Sequence, residues 1–244
     1  MDNSGGNFEP GSAKLGNFIN YYSFNPAQNR IKLLPSDLWK TCAPDDPYLC
    51  LDVGCNTGEL TQALYDFLSV HIKREKLHFL GIDVDNILIE RANELNRNLS
   101  GVTFSCTDAL DIAASKDVTS FLEMHSRECF NVTFLFSVTM WIHLNHGDDG
   151  LRRFLKSAAS MSEMVVVEPQ PWKCYKSAAR RMKKLGLDPF PHWHKMEMCQ
   201  AIENDIMNIL VNDCHFQKIF QTQMTTWGRT IYFFKRTEDI IFVS

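Results

Sequence analysis

The sequence lacks several features that would assign it to a membrane, a secreted or a zinc-binding class. No apolar run approaches the ~20 residues that cross a bilayer, and the first residues, MDNSGGNFEPGS, have neither the basic nor the apolar part of a secretory leader. The eight cysteines include no C-x-x-C pair. Cysteines spread in this way are typical of reduced intracellular chains. We therefore expect a protein of the cytoplasm, with the nucleus as the alternative and no membrane partner.

An excess of positive charge is also missing, since the formal net charge is −4. This excludes a globally basic nucleic-acid binder but leaves room for a local basic patch. Residues 1–15 are rich in glycine, asparagine and serine, and we predict that they are disordered. With 45% apolar residues in the chain, residues 16–244 can bury one sizeable core. We predict a single domain there and expect a monomer.

Short apolar runs alternate with amphipathic stretches from Tyr48 onward. The runs are YLCLDV, LHFLGID, VTFSC, FNVTFLF and MVVVE, separated by helical patterns near 59–71, 87–98, 116–125 and 150–161. This alternation favours a parallel sheet wound by right-handed crossovers. Near the end, CHFQKIFQTQ and RTIYFFKR are separated only by MTTWG, which predicts an antiparallel hairpin. The predicted fold is α/β, a doubly wound, mostly parallel sheet of seven strands with a C-terminal antiparallel hairpin.

The segment LDVGCNTGEL leads from the first predicted strand into a helix through Gly54 and Gly58. Glycines here let the backbone approach a ligand at a helix N-terminus. The pattern is D-x-G-x-x-x-G, and Asp52 would repel a pyrophosphate but attract a cationic amino-acid ligand. Asp83 ends the second strand, where it can bind a ribose diol, and Asp108 follows the third, where it can meet an adenine edge.

This combination of loop and strand-end acids resembles the class I S-adenosylmethionine-dependent methyltransferases. The resemblance implies S-adenosylmethionine as the cofactor. Two simpler interpretations stay open at this point. The glycine pattern also occurs in ordinary strand-to-helix turns, and Asp108 can be a helix N-cap.

Two segments behind the fourth and fifth strands are candidates for the acceptor side, since ligands of such sheets lie beyond the strands' carboxyl ends. TMWIHLNHGD (139–148), which we predict as a loop, places a tryptophan, two histidines, an asparagine and an acid directly behind FNVTFLF. In EPQPWKCY (168–175), two prolines stiffen the strand exit and direct Gln170 and Trp172.

A predicted helix over 173–184 holds six basic residues and no acid. Lys173, Lys176, Arg180 and Lys184 recur at three- and four-residue steps and therefore share one face. A cationic stripe with an aromatic residue nearby suits RNA or another phosphorylated ligand. The alternative is a solvated helix face.

His143-x-x-His146 and His192-x-His194 contain metal-ligand residue types. Neither pair carries a glutamate at a helical step, and the cysteines do not join them, so we predict no metal site. A structural role is the alternative to an acceptor role for His143 and His146. We expect the segment HWH (192–194) to belong to a mobile lid over the acceptor.

Together with NYYSFNPAQNRIKLLP, these motifs resemble the bicoid-interacting domain family of RNA methyltransferases, from about residue 16 to 234. The resemblance implies methylation of the 5′ phosphate of small RNAs. It is strongest to a short, mainly cytoplasmic branch that acts on the 5′-monophosphates of a histidine tRNA and precursor microRNAs. The nuclear branch, which caps the γ-phosphate of a small nuclear RNA, has a lysine where Met140 stands and a tryptophan where His146 stands. Without that lysine a triphosphate is held less firmly, so a monophosphate is the predicted substrate.

The motifs and the resemblance together assign residues to roles. The resemblance implies cofactor contacts from Tyr22, Arg30, Asn56, Asp83, Asp108 and Phe136, and we expect further contacts from Asp52, Gly54 and Ala109. Acceptor positioning is expected from His143, Trp141, Asn145, Gln170 and Trp172. RNA binding is expected from Tyr21, Lys173, Lys176, Arg180, Arg181 and Lys184. Among the six cofactor contacts that the resemblance implies, the residues alone support only Asn56, Asp83 and Asp108. The Arg30 guanidinium suits a carboxylate, with a surface salt bridge as its alternative.

A phosphate monoester has a second pKa near 6 and is largely a dianion at neutral pH. No general base is therefore expected in the site. Three other functions stay open: capping of a 5′-triphosphate, methylation of a small molecule or protein side chain, and a non-catalytic RNA-binding scaffold.

Overall fold

The computed structural model describes residues 12–39, 46–96 and 100–237. Within these ranges one seven-stranded sheet has the order β3-β2-β1-β4-β5-β7-β6. The strands are β1 (Tyr48–Val53), β2 (Leu77–Asp83), β3 (Val102–Cys106), β4 (Phe130–Phe136), β5 (Ser162–Glu168), β6 (Phe216–Gln221) and β7 (Tyr232–Arg236). The first five pair in parallel, and β7 is antiparallel to both β5 and β6. The predicted fold class is confirmed.

Helices surround this sheet. They are α1 (Ser12–Leu15), α2 (Tyr21–Phe24), α3 (Ala27–Ile31), α4 (Glu59–Leu68), α5 (Asn86–Leu95), α6 (Lys116–Met124), α7 (Thr139–Ser160), α8 (Trp172–Lys184) and α9 (Ile202–Asn208). A 3₁₀ turn, Ala109–Ala114, precedes α6, and a π turn, Ile209–Asp213, follows α9. None of the helices in the described ranges is both long and apolar enough to cross a bilayer.

The apolar core has two layers, one on each face of the sheet. Every residue of β1 is buried, and because side chains alternate along a strand, Leu49 and Leu51 join one layer while Tyr48 and Cys50 join the other. Helix α4 packs on the second layer and α7 on the first. Apolar side chains thus cover both faces of the sheet, and its parallel strands end at one edge of this core.

The segment 139–148 is helical, and its prediction as a loop was wrong. It forms the first part of α7, which continues to Ser160 after a kink at Gly147 (φ 68°, ψ −171°). The helix predicted to begin near Gly150 is only the second part. Met140 and Leu144 are buried four residues apart, which is the spacing of a helix face that packs on a core. Asn145, His146 and Gly147, which follow them, interrupt this period in the sequence.

Part of the segment that was predicted to be disordered is helical. Residues 1–11 lie outside the described ranges, but Ser12–Leu15 form α1 rather than a disordered tail. Ala13 is buried in the apolar core, and the Lys14 carbonyl accepts a hydrogen bond from Asn145 Nδ2 at 2.9 Å. These contacts with α7 order the segment despite its composition.

Candidate functional site

The carboxyl ends of β1, β2 and β4 border a cavity of about 160 Å³. All of the residues predicted to contact the cofactor line it: Tyr22, Arg30, Asp52, Gly54, Asn56, Asp83, Asp108, Ala109 and Phe136. The cavity is called the cofactor cavity below. The structure brings the predicted set together; that these residues bind a cofactor stays a prediction.

The glycine loop has the backbone geometry that its sequence requires. Gly54 and Asn56 both have positive φ, at 75° and 53°, a region that glycine and asparagine tolerate better than other residues. The Asn56 N–H donates to Asp83 Oδ2 at 3.0 Å. This bond joins the ends of β1 and β2 and fixes the carboxylate of Asp83 at the cavity.

Two acids in the cofactor cavity are buried without a salt bridge in the described structure. Asp52 accepts a hydrogen bond from Thr61 Oγ1 at 2.6 Å, but its burial raises its pKa to about 6. Burial also raises the pKa of Asp83. A cation placed among these carboxylates would stabilise their ionised forms.

Arg30 is fully buried and pairs with Glu168, which was not predicted to be part of the site. Arg30 Nε lies 2.5 Å from Glu168 Oε2, and Nη2 lies 3.2 Å from Oε1. The surface salt bridge that was the alternative for Arg30 is therefore wrong, since both partners are buried. Nη1 is buried without a hydrogen-bond partner among the described residues. A buried donor without an acceptor costs ~1–3 kcal/mol. A ligand carboxylate in the cavity would accept the missing hydrogen bond.

A wider cavity of about 1090 Å³, called the acceptor groove below, adjoins the cofactor cavity. Gly16, Tyr21, Ser137 and Trp141 are the described residues that line both. They form the shared wall. These four residues therefore border both spaces.

The acceptor groove carries most of the predicted basic stripe. Its lining includes Lys173, Lys176, Arg180 and Arg181 from α8, whereas Lys184 is not part of the described lining. The Arg181 guanidinium lies 4.7 Å from the centroid of the Phe18 ring. Phe24, also in the lining, is 80% exposed. Positive charge and aromatic rings therefore line the same groove, and one of these rings is in contact with a guanidinium.

Three of the predicted acceptor residues lie at the two cavities. Trp141 belongs to the shared wall, Asn145 lines the cofactor cavity and Gln170 lines the acceptor groove. Gln170 Oε1 accepts the Met140 N–H at 3.2 Å. This bond ties the exit of β5 to the start of α7.

His143 and Trp172 are placed elsewhere, outside the described linings of both cavities. His143 is fully buried, with Nδ1 3.2 Å from Tyr175 Oη and Nε2 2.6 Å from Asp148 Oδ1. Trp172 stacks on Trp193 with ring centroids 5.2 Å apart. In this geometry neither residue is positioned to contact a ligand in the acceptor groove directly. His143 is buried because the helical period of α7 places it, with Leu144, on the side of the helix that faces the core.

Ser137 connects the two cavities and was missed by the sequence analysis. Its φ is 58°, and its hydroxyl lies within hydrogen-bond distance of Tyr21 Oη (2.9 Å), Arg30 Nη2 (3.0 Å), Glu168 Oε1 (3.1 Å) and Arg229 Nη1 (2.6 Å). Glu168 was missed as well, although the sequence carried one signal for a site residue there: like Asp83, it ends a buried strand.

Within the described ranges, no three histidine, cysteine, aspartate or glutamate side chains are close enough to hold a metal ion together. His192 lies in a turn beside the α7 kink, where an added Cβ at Gly147 would be 3.1 Å from its ring. The lid role of HWH (192–194) stays a prediction.

Comparisons with known proteins identify the family of this chain. The family model of Bicoid-interacting protein 3 (Bin3) matches residues 130–236. The chain is 43% identical to the Pre-miRNA 5′-monophosphate methyltransferase of Xenopus laevis, over 93% of this chain and 94% of that protein. It is 41% identical to the RNA 5′-monophosphate methyltransferase of Bos taurus, over 93% and 82%. The chain belongs to the Bin3 family. The family match spans β4 to β7 and therefore includes α7, α8 and Glu168.

Solved structures resemble the Bin3 chain in fold. The N-methyltransferase NodS from Bradyrhizobium japonicum, in complex with S-adenosylhomocysteine, superposes with a TM-score of 0.55 at 16% identity, covering 92% of this chain and 95% of that chain. Magnesium protoporphyrin IX methyltransferase from Synechocystis gives 0.51 at 16% identity, covering 79% and 75%. At this identity the likeness concerns the fold, which is that of the class I methyltransferases.

Proposed function

We propose that this protein is an S-adenosylmethionine-dependent methyltransferase that methylates the 5′-monophosphate of small RNAs. Relatives that align over nearly the whole chain are named for this reaction. The observation that carries the proposal is the shared wall. It joins an acidic cavity at the strand ends to a groove lined by cations and aromatic rings.

The residues of the cofactor cavity fit S-adenosylmethionine. Arg30 has one buried donor free for a carboxylate, and Asp83 stands where a ribose diol is bound in folds of this kind. Asp108 and Ala109 line the side assigned to adenine. Asp52 adds the negative charge that a cationic ligand prefers. When bound, S-adenosylmethionine supplies a methyl group on a sulfonium, an electrophilic carbon.

The acceptor needs alignment more than activation. The terminal phosphate of an RNA 5′-monophosphate is largely dianionic at neutral pH, so one of its oxygens can attack without losing a proton. In-line displacement requires the two reactants to be held at near-attack distance. Tyr21, Ser137 and Trp141 line both cavities and are placed to do this. The basic side chains of α8 would hold the RNA that follows the phosphate.

The proposed preference for a monophosphate rests on Met140. Its side chain is buried and lines the acceptor groove, so no positive charge stands at this position. A triphosphate carries more charge and would gain from a cation there. Precursor microRNA is named as the substrate of one relative. We also propose a histidine tRNA as a substrate, a cytoplasmic location and a monomeric state. These proposals are based on the family resemblance and the composition of the chain.

A labelling experiment tests the proposal. The protein is incubated with methyl-labelled S-adenosylmethionine and RNAs of one sequence that end in a 5′-hydroxyl, monophosphate or triphosphate. We expect label on the monophosphate RNA above the other two. Label on the hydroxyl RNA would contradict phosphate methylation, strongest label on the triphosphate would indicate capping, and label on none would indicate a binding scaffold.

A further inference from the structure

We propose that Arg229 holds the 5′-phosphate of the RNA against the shared wall. Arg229 lies in the connection between β6 and β7, far from the glycine loop in sequence, and lines the acceptor groove beside Ser137 and Tyr21. Its side chain is 14% exposed. The inference rests on the proposed function, since it names the group that would receive the substrate's phosphate.

One end of the Arg229 guanidinium is fixed by the protein. Nη1 donates to Ser137 Oγ at 2.6 Å and to Glu168 Oε1 at 3.1 Å. Both partners also bond Arg30, so four side chains hold one another in place. The planar group is therefore pre-oriented before any ligand arrives.

The other edge of the guanidinium has unused hydrogen-bonding capacity. Nε is buried without a hydrogen-bond partner among the described residues. Nη2 has a long contact with Cys174 Sγ at 3.9 Å, and Cys174 itself lines the groove. Nε and Nη2 form the side edge of the guanidinium, which matches two oxygens of a phosphate in a bidentate arrangement. A phosphate here would satisfy a donor that the folded chain leaves unsatisfied.

The charge of the cluster also suits the reaction. Glu168 is held ionised, because Arg30 and Arg229 keep its pKa below the usual range although burial alone would raise it. Two guanidinium groups against one carboxylate leave a single positive charge. A phosphate dianion beside it would stay net negative and remain a nucleophile. Arg30 forms the closer pair with Glu168, so the excess charge lies at Arg229.

The test compares RNA binding with and without the 5′-phosphate. Affinities are measured for two RNAs of one sequence, ending in 5′-monophosphate or 5′-hydroxyl, with the wild type, Arg229→Lys and Arg229→Gln. Arg229→Lys keeps a positive partner for Glu168 and so protects the fold. We expect the affinity for the monophosphate RNA to fall ~10-fold in Arg229→Lys and up to ~100-fold in Arg229→Gln. Affinity for the hydroxyl RNA should change less than ~2-fold.

Two controls separate the possible outcomes. Lys235→Gln removes one charge from an exposed position of β7, and we expect it to keep the wild-type preference. Binding of S-adenosylmethionine, measured by calorimetry, should be unchanged in Arg229→Lys. Equal losses of cofactor and RNA affinity would assign Arg229 a structural role through Glu168 and overturn the inference, as would an Arg229→Lys variant that keeps the full preference for the phosphate.

Failure of the proposed function gives a different result from failure of this inference. If the proposed function were wrong, the wild type itself would neither methylate the monophosphate RNA nor distinguish it from the hydroxyl RNA. If the wild type does both and Arg229→Lys does so equally well, the function stands and the phosphate is held by another residue.

Discussion

Asp52 is a buried carboxyl whose ordinary pKa of 3.8 is raised to about 6, chiefly by burial. In the cofactor-free protein its ionised form is therefore disfavoured by the fold. Its contribution to stability is fully present below the unfolded pKa and is lost as the pH rises through about 6. A cationic cofactor in the same cavity would reverse this effect by stabilising the carboxylate.

The consequence is a pH-dependent cofactor affinity. We expect the affinity for S-adenosylmethionine to rise with pH up to about 6, by at most ~10-fold per pH unit, and then to level off. Titration calorimetry from pH 5 to 8 measures it. Asp52→Asn should bind more weakly at pH 8 and lose most of this slope. A slope that survives in Asp52→Asn but disappears in Asp83→Asn would assign the titration to Asp83, whose pKa burial also raises.

Met140 is the second residue whose change should be informative. In Met140→Lys a cation enters the wall of the acceptor groove, where it can pair with the outer phosphates of a triphosphate. We expect the ratio of kcat/KM for monophosphate over triphosphate RNA to fall ~10-fold. Met140→Leu is the matched control and should keep the wild-type ratio. An unchanged ratio in Met140→Lys would show that this position does not set the preference.

Among the elements, α7 has the most unusual shape, because it bends at Gly147 with His143 and Asp148 on either side. Asp148 Oδ1 lies 2.6 Å from His143 Nε2, and Oδ2 accepts the Glu197 N–H at 2.8 Å. The carboxylate thus connects the bend to the chain that follows the HWH turn. Burial lowers the pKa of His143, against the opposing effect of Asp148.

This arrangement predicts how the fold responds to acid. A histidine whose folded pKa is lowered contributes stability that is present above its unfolded value of 6.5 and is lost as the pH falls through the folded value. His143→Gln should reduce the free energy of unfolding by ~1–3 kcal/mol at pH 7 and weaken its pH dependence between 6.5 and 5. Urea unfolding measures both quantities, with His71→Gln as an exposed control.

Activity of the same variant distinguishes the two roles weighed for His143. If its role is structural, kcat/KM of the folded variant stays near the wild-type value. A large loss of kcat/KM with unchanged unfolding would instead restore His143 as an acceptor-positioning residue, acting through a movement of α7.

At the scale of the whole molecule, much of the fold was predictable because its signals are local. Short apolar runs at helix-length intervals located β1 to β5, and the brief gap between the last two runs located the hairpin. The cofactor cavity was predictable for the same reason, since Asp52, Asp83 and Asp108 each lie at or just past a strand end and the topology brings those ends together.

The rest of the site depends on contacts that no local pattern records. Arg30 and Glu168 are 138 residues apart in sequence, and Arg229 is 61 residues from Glu168. Only the folded chain shows that these three side chains meet at Ser137. The helix over 139–148 was missed for a different reason, because Asn145, His146 and Gly147 interrupt its apolar period.

The shared wall has a thermodynamic consequence. Gly16, Tyr21, Ser137 and Trp141 face both cavities, so any adjustment that one ligand makes in them alters the surface that the other ligand meets. RNA and S-adenosylmethionine would then bind cooperatively or anticooperatively, and linkage requires each to change the other's affinity by the same factor. Methyl donor supply and RNA retention would be coupled through these four residues, without requiring a separate regulatory site.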